Sequence, residues 1–137
     1  MILDAIDERL IVLLRENSKL SFKALGEKIH MTGQAVGLRV KRLEDEGIIK
    51  RYTIDTSDKE MGTMIAYVTL TMKTQAHHKV KAFVTQHLEI IEASRISGEG
   101  CYFLKCEFKD HEALNVFCDE VLSFANYRVN IVTERIK

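Results

Sequence analysis

The stretch Thr32-Gly-Gln-Ala-Val-Gly-Leu-Arg-Val-Lys-Arg-Leu-Glu-Asp-Glu-Gly47 decides how this 137-residue chain folds and what it does. Thr32 is a typical N-cap residue, and Gly47 is a typical residue just beyond a helix end. Between them, apolar residues recur on one helix face, namely Val36, Val40 and Leu43. The stretch therefore predicts a helix, although two glycines in its first turns each cost about 1 kcal/mol relative to alanine.

The opposite face of this helix carries residues that suit DNA recognition. Gln34 can pair with the N6 and N7 atoms of adenine, and Leu38 can contact a thymine methyl. Nearby cations can reach phosphates: Arg39, Lys41 and Arg42. Gly37 lies on the same side, where a missing side chain would let the helix approach a groove closely. Gly33 lies nearer the packed side, and a role in the helix cap explains it equally well.

Charge is distributed unevenly along the helix. Its last turn, residues 44–46, is entirely acidic; it opposes the helix dipole and would repel phosphate. The N-terminal half is therefore predicted to enter the groove, while Lys50 and Arg51 add two cations where a wing would lie over the backbone. The predicted DNA contacts are Thr32, Gly33, Gln34, Gly37, Leu38, Arg39, Lys41, Arg42, Lys50 and Arg51.

Two shorter helices are predicted upstream. Asp4 and Asp7 resemble a capping box for a first helix that ends near Asn17, and Ser21 is placed to cap a second. Two short helices before a longer basic one is the order of a helix-turn-helix unit, although His30-Met31 stands where such units usually have glycine. Alternation over 49–55 predicts a short strand, which would make the unit winged.

From Met64 onward the apolar pattern changes to strand, helix, strand, and then repeats. We therefore predict an α+β chain: a winged helix-turn-helix domain followed by a ferredoxin-like βαββαβ domain. In the second domain, two helices would cover one face of an antiparallel sheet. The predicted boundaries are 1–55 for the DNA-binding domain, 56–63 for a linker, and 64–137 for an effector-sensing and oligomerisation domain.

Composition narrows the class further. Twenty basic residues balance twenty acidic ones, so DNA affinity must come from local arrangement and not from net charge. Three cysteines without a Cys-x-x-Cys unit favour a reducing, cytoplasmic setting, and the N-terminus matches neither a signal peptide nor a membrane span. Because the chain has no phosphate loop, nucleophile elbow or metal-ligand spacing, we expect no cofactor, no metal and no enzymatic activity. The balanced charge and the absence of a membrane span predict no membrane partner.

Residues 35–52, preceded by Asp4 and Asp7, resemble the DNA-binding half of the leucine-responsive/asparagine-regulator (Lrp/AsnC) family of transcription regulators. The βαββαβ half, with Ser97-Gly-Glu-Gly-Cys-Tyr-Phe-Leu104, is similar to the effector-sensing module of that family. This resemblance implies double-stranded operator DNA as a partner. It also implies a homodimer that assembles further, commonly to an octamer, with amino-acid effectors bound between dimers.

One position departs from the family. Its effector loop has an aspartate three positions after a glycine, where this chain has Cys101 after Gly98. A neutral thiol cannot supply the charge that holds a ligand's amino group. Either Glu99 turns inward instead, or Gly98 and Gly100 only shape a turn. The candidate effector-binding residues are Gly98, Glu99, Gly100, Cys101 and Tyr102.

The resulting prediction is a sequence-specific transcription regulator that binds palindromic operator sites as an oligomer and responds to an amino-acid-like effector. An architectural protein that wraps DNA with little sequence preference would use the same contacts and differ in its ratio of specific to non-specific affinity. A third reading rests on the resemblance to sirohaem decarboxylases, which share the two-part fold. The intact basic third helix argues against that enzyme.

Overall fold

A computed structural model describes residues 2–137, which divide into a first unit that ends at Asp55 and a second from Thr56 to Lys137. The first contains helices α1 (Ala5–Glu16), α2 (Phe22–Ile29) and α3 (Gly33–Asp45). A short helix, α4 (Asp58–Met61), lies inside the segment that was predicted as linker and belongs to the second unit. That segment therefore contains a helical turn, with Ser57 as its N-cap and Gly62 as its C-cap.

Side-chain caps begin each helix of the first unit as predicted. Asp4 and Asp7 form a complete capping box at α1. Ser21 Oγ accepts the Ala24 N–H at 3.0 Å, and Thr32 Oγ1 accepts the Ala35 N–H at 3.2 Å. Apolar residues of α1, α2 and α3 then meet in one cluster, formed by Leu10, Leu13, Leu25, Val36 and Val40.

Left-handed backbone ends two of these helices. At the end of α2, His30 adopts φ 58° and ψ 45°, a left-handed conformation that is more usual for glycine. At the end of α3, Gly47 adopts φ 71°, the Ile48 N–H donates to Leu43 O and the Gly47 N–H to Glu44 O. These two bonds form a Schellman motif, which confirms Gly47 as the residue that ends the helix.

The predicted strand over 49–55 is wrong, and with it the wing. Residues 50–57 carry no regular secondary structure, and within the described part of the first unit no strand exists to pair with them. A strand needs a neighbour for its backbone N–H and C=O groups, and alternation alone cannot provide one. Tyr52 instead donates its hydroxyl to Glu44 Oε1 at 2.6 Å.

The second unit confirms the ferredoxin-like prediction. Its elements are β1 (Met64–Met72), α5 (His77–Gln86), β2 (Ile90–Arg95), β3 (Tyr102–Phe108), α6 (His111–Val121) and β4 (Ala125–Ile131). In the described residues the strands form one four-stranded antiparallel sheet in the order β2-β3-β1-β4. β1 is therefore separated from β2, and β3 from β4, as the two βαβ crossovers require, whereas the consecutive strands β2 and β3 are neighbours.

Both helices cover the same face of this sheet. Alternate β1 residues are buried there, and the Phe117 ring of α6 lies 5.1 Å from both Phe83 of α5 and Phe108 of β3. Two apolar residues next to these helices lie outside the core: Leu88 follows the end of α5 and is 96% exposed, and Leu122 caps α6 and is half-exposed. On the open face, the Tyr67 and Phe103 rings stack at 5.2 Å.

Candidate DNA-binding surface and effector loop

One exposed side of α3 carries Gln34, Leu38 and Lys41. Leu38 is 67% exposed, and the Lys41 side chain is 68% exposed. Spacings of four and three residues place all three side chains on one side of the helix, opposite its buried stripe. An amide, an apolar group and a cation therefore lie together on the side of the helix that faces water.

The arginines of α3 behave differently, because they pair with aspartates of α1. Arg39 Nη1 lies 2.7 Å from Asp4 Oδ2 and 2.9 Å from Asp7 Oδ1, and Arg42 Nη2 lies 2.7 Å from Asp7 Oδ2. The Asp7 side chain is fully buried, whereas half of the Arg42 side chain remains exposed. Arg39 is thus held against α1, and its predicted role as a phosphate contact does not fit this geometry.

Electrostatics explain why these pairs form. A buried carboxylate is costly unless it is paired and hydrogen-bonded, and Asp7 receives both arginines as well as its capping bond. The hydrogen bond from Arg39 also lowers the pKa of Asp4 and raises the pKa of Arg39. The sequence does contain a signal for this, since an acidic residue among the apolar positions of α1 requires a cation nearby.

The two glycines of α3 both face α2. An added Cβ at Gly37 would lie 3.1 and 3.2 Å from two ring carbons of Phe22. At Gly33 it would lie 3.1 Å from the backbone nitrogen and 3.3 Å from the Cα of Lys23. The glycines therefore allow α2 and α3 to pack closely. The prediction that Gly37 leaves the helix surface open to a groove is wrong, because the Phe22 ring fills that space.

The remaining predicted contacts lie at the ends of α3. Thr32 is exposed, but its hydroxyl is engaged in the helix cap. Lys50 and Arg51 are exposed and line a groove of about 570 Å³ between α1 and residues 48–53. Lys41 also pairs with Asp45 at 3.1 Å, and because both side chains are mostly exposed, this pair contributes little to stability.

The loop between β2 and β3 has the conformation of a glycine-dependent turn. Gly98 and Gly100 adopt φ 86° and 90°, which residues with a side chain rarely adopt. An added Cβ at Gly100 would lie 2.6 Å from Thr69 Cγ2, and the Cys101 N–H donates to Leu70 O at 2.6 Å. The loop is therefore drawn tightly against β1.

The candidate effector residues point in different directions. Glu99 does not turn inward: its side chain is 90% exposed and lies 3.5 Å from Arg128 Nη2. Tyr102 is buried in the core, with its hydroxyl 2.7 Å from His77 Nδ1 and Arg95 stacked over its ring. Cys101 is half-buried against the same core. No carboxylate among these five residues replaces the family's aspartate in this arrangement.

The other two cysteines are buried. Cys106 and Cys118 lie in the apolar core, and desolvation raises the pKa of both thiols, that of Cys106 to about 12. These thiols therefore act as small apolar groups. Across residues 2–137, no helix is long and apolar enough to cross a membrane, and no three His, Cys, Asp or Glu side chains form a group that could hold a metal ion.

A helix-turn-helix unit with an exposed polar and basic third helix, followed by a ferredoxin-like unit, defines a DNA-binding transcription regulator. Residues 3–44 match the AsnC-type helix-turn-helix domain, and residues 65–137 match the Lrp/AsnC ligand binding domain. The chain belongs to the Lrp/AsnC family of transcription regulators, and it is a regulator rather than an enzyme.

Named relatives agree with this assignment. The chain is 40% identical over 138 residues to the HTH-type transcriptional regulator LrpB of Bacillus subtilis (strain 168), covering 100% of this chain and 93% of LrpB. The structure of B. subtilis LrpC superposes with a TM-score of 0.90 at 32% identity, covering 100% of this chain and 99% of LrpC. The regulator NMB0573 of Neisseria meningitidis, in complex with L-Met, is similar with a TM-score of 0.88 at 26% identity, covering 99% and 93%.

Proposed function

We propose that this regulator recognises specific operator sequences through the Gln34, Leu38 and Lys41 side of α3. The joint exposure of these three side chains carries the proposal, since the arginines beside them are held against α1. Gln34 would read adenine and Leu38 a thymine methyl, while Lys41 would contact phosphate. Lys50, Arg51 and the half-exposed Arg42 add cations, and the free thiols support a cytoplasmic setting.

Selection from a random duplex library, followed by binding measurements at two salt concentrations, tests this proposal. Gln34→Ala should lose about 1 to 3 kcal/mol of discrimination at particular base pairs. Lys41→Ala should weaken binding to all duplexes similarly and reduce the salt slope by about one. Lys109→Ala, which removes an exposed cation from the second unit, is the matched control. Unchanged preference in Gln34→Ala would remove Gln34 from the set of base readers.

The same measurement separates a specific regulator from a DNA-wrapping protein. Specific binding should exceed binding to random duplex by about 1,000-fold or more. A ratio close to one, together with strong salt dependence, would favour wrapping.

Homodimers that assemble further, to octamers by family resemblance, would bind palindromic sites. One helix-turn-helix unit of this size offers few phosphate contacts. Linking two such units raises the effective concentration of the second unit at a palindromic site once the first has bound. The open sheet face, where Phe103 is partly exposed beside Tyr67, suits pairing of two sheets. Phe103→Glu should therefore reduce the sedimentation mass, whereas Val116→Glu, at an exposed apolar position of α6 on the other side of the sheet, is the matched control and should leave the mass unchanged. Unchanged assembly in Phe103→Glu would exclude this face as the interface.

An amino-acid-like effector would bind near the loop of residues 98–102. The L-Met complex of NMB0573 supports this ligand class, and the missing carboxylate at Cys101 predicts weak binding of ordinary amino acids. Cys101→Asp should strengthen binding of L-Met, as measured by calorimetry, and Cys101→Asn should not, because only a charged group pairs with the ammonium. Equal affinities of the two variants would show that charge at this position does not control binding.

A further inference from the structure

The first residue of α2 contributes an aromatic ring to the exposed side of α3. Two ring carbons of Phe22 lie within 3.2 Å of the position that a Cβ on Gly37 would occupy. Phe22 nevertheless remains 46% exposed and lies outside the apolar cluster of the first unit. The ring is therefore seated on α3 at one side and open to water at the other.

Helix geometry places this ring beside the predicted reading residues. At 100° per residue, Gly37 lies about 40° from Lys41 and about 60° from Gln34 around the α3 axis. Phe22 thus occupies the place that the side chain of residue 37 would otherwise take. Lys23, the next residue along α2, is exposed and supplies a cation on the same helix end.

We propose that Phe22 is a specificity-determining residue whose ring edge packs on the 5-methyl group of a thymine in the major groove. The inference rests on the proposed function. Among the bases, thymine presents a methyl group in that groove, and aromatic or aliphatic side chains are its usual partners. Burying the free side of the ring against this methyl removes apolar surface from water, which a phosphate contact would not do. The chain therefore reads DNA with two helices instead of α3 alone.

Replacing thymine by deoxyuridine tests the contact, because this change deletes only the methyl group. The duplex selected by the wild-type full-length protein is substituted one thymine at a time, and affinity is measured by fluorescence anisotropy. We expect one position at which the wild type loses about fourfold in affinity, the value for one buried methyl-sized group. In Phe22→Ala, deoxyuridine at that position should cause no loss of affinity. In Phe22→Leu, it should cause part of the loss seen in the wild type. Leu38→Ala should keep the affinity loss at that position and should lack the loss at a different thymine.

A second measurement needs no variant and so does not depend on the folding of Phe22→Ala. Duplexes with 5-iododeoxyuridine at each thymine are irradiated with the wild-type protein, and mass spectrometry locates the adduct. An adduct on Phe22 supports the proposal. Identical deoxyuridine penalties in the wild type and a folded Phe22→Ala, or adducts only on other residues, would overturn it. A wild type that selects no sequence at all would instead overturn the proposed function itself.

Discussion

The two units of this chain hold their helices in place by different physical means. In the first, α3 is joined to α1 by the buried Asp7 with two arginines, and to α2 through glycines that allow close approach. In the second, α5 and α6 meet the sheet through apolar and aromatic side chains such as Phe83 and Phe117. Both units have an apolar core, but the first adds directional bonds that orient α3, whereas the contacts of α5 and α6 with the sheet are mainly apolar.

This difference suits the separate tasks of the two units. Hydrogen-bonded ion pairs with the planar guanidinium have a defined geometry, so they fix the rotation of α3 about its axis. Apolar contacts are less directional, and cores accept other side chains of similar volume. A helix that must present Gln34, Leu38 and Lys41 to a groove benefits from the first arrangement. Variants can show whether the two kinds of contact differ as this reasoning requires.

The largest effect is expected in the aromatic core of the second unit. Phe117→Ala should lower the free energy of unfolding by about 3 to 5 kcal/mol, since it leaves a cavity between three aromatic neighbours. Urea denaturation followed by circular dichroism measures this loss. Val116→Ala, at an exposed position of the same helix, is the control and should cost much less. Comparable losses for the two would contradict a core concentrated on the helix-covered face.

A smaller loss is expected when the ion-pair cluster of the first unit is broken. Asp7→Ala should cost about 2 to 3 kcal/mol, below the 3 to 5 typical of a buried pair, because half of Arg42 can return to water. Denaturation and binding to the selected duplex should both respond, since α3 loses its orienting bonds. Asp4→Ala, at a largely exposed carboxylate, should change stability less. A larger loss of stability in Asp4→Ala would show that α3 is held mainly by the N-cap residue of α1 and not by Asp7.

The two glycines of α3 should respond differently to alanine. Gly33→Ala should cost about 1 to 2 kcal/mol, because its Cβ would press on the backbone of Lys23. Gly37→Ala should be nearly neutral, since a gain of up to about 1 kcal/mol in helix propensity offsets the shift of a half-exposed ring. Thermal unfolding of both variants checks the order. The reverse order would mean that the Phe22 ring is held more rigidly than the backbone of α2.

The smallest effect concerns pH. The hydrogen bond from Arg39 lowers the pKa of Asp4 below its ordinary value of 3.8. A lowered folded-state pKa contributes stability that is fully present above about pH 4 and is lost as pH falls through the lowered value. Carboxyl-carbon NMR titration should find this low pKa of Asp4 in the wild type and a higher pKa in Arg39→Met, where the hydrogen bond from the Asp7 N–H remains. An equal pKa in both proteins would exclude Arg39 as the cause.

Much of the fold was predictable because it depends on local chemistry. Caps at Asp4, Ser21 and Thr32 and the glycine at 47 mark helix ends, and these signals act within one or two turns of chain. Period-two alternation from Met64 identified strands for the same reason. The strand predicted over 49–55 failed because pairing needs a neighbouring strand, which alternation does not provide.

At the candidate site, too, the features that depend on local spacing were predictable, and those that depend on contacts with other elements were not. The exposure of Gln34, Leu38 and Lys41 follows from helical spacing, which the sequence contains. The partners of Arg39 and the ring that covers Gly37 belong to other helices, so spacing along α3 could not identify them. Likewise, the outward direction of Glu99 depends on the turn that Gly98 and Gly100 make against β1.

By itself, then, the sequence determined the three helices of the first unit, the helices and strands of the βαββαβ half and the exposed face of α3, because capping, periodicity and spacing are properties of neighbouring residues. Its resemblance to known regulators indicated the family. Only the tertiary structure showed that Arg39 pairs with Asp4 and Asp7, that Gly33 and Gly37 allow α2 to pack closely on α3, and that the Phe22 ring lies on the surface of α3. These are contacts between residues distant in the chain. Their energies depend on distance and burial, which exist only after the helices have packed.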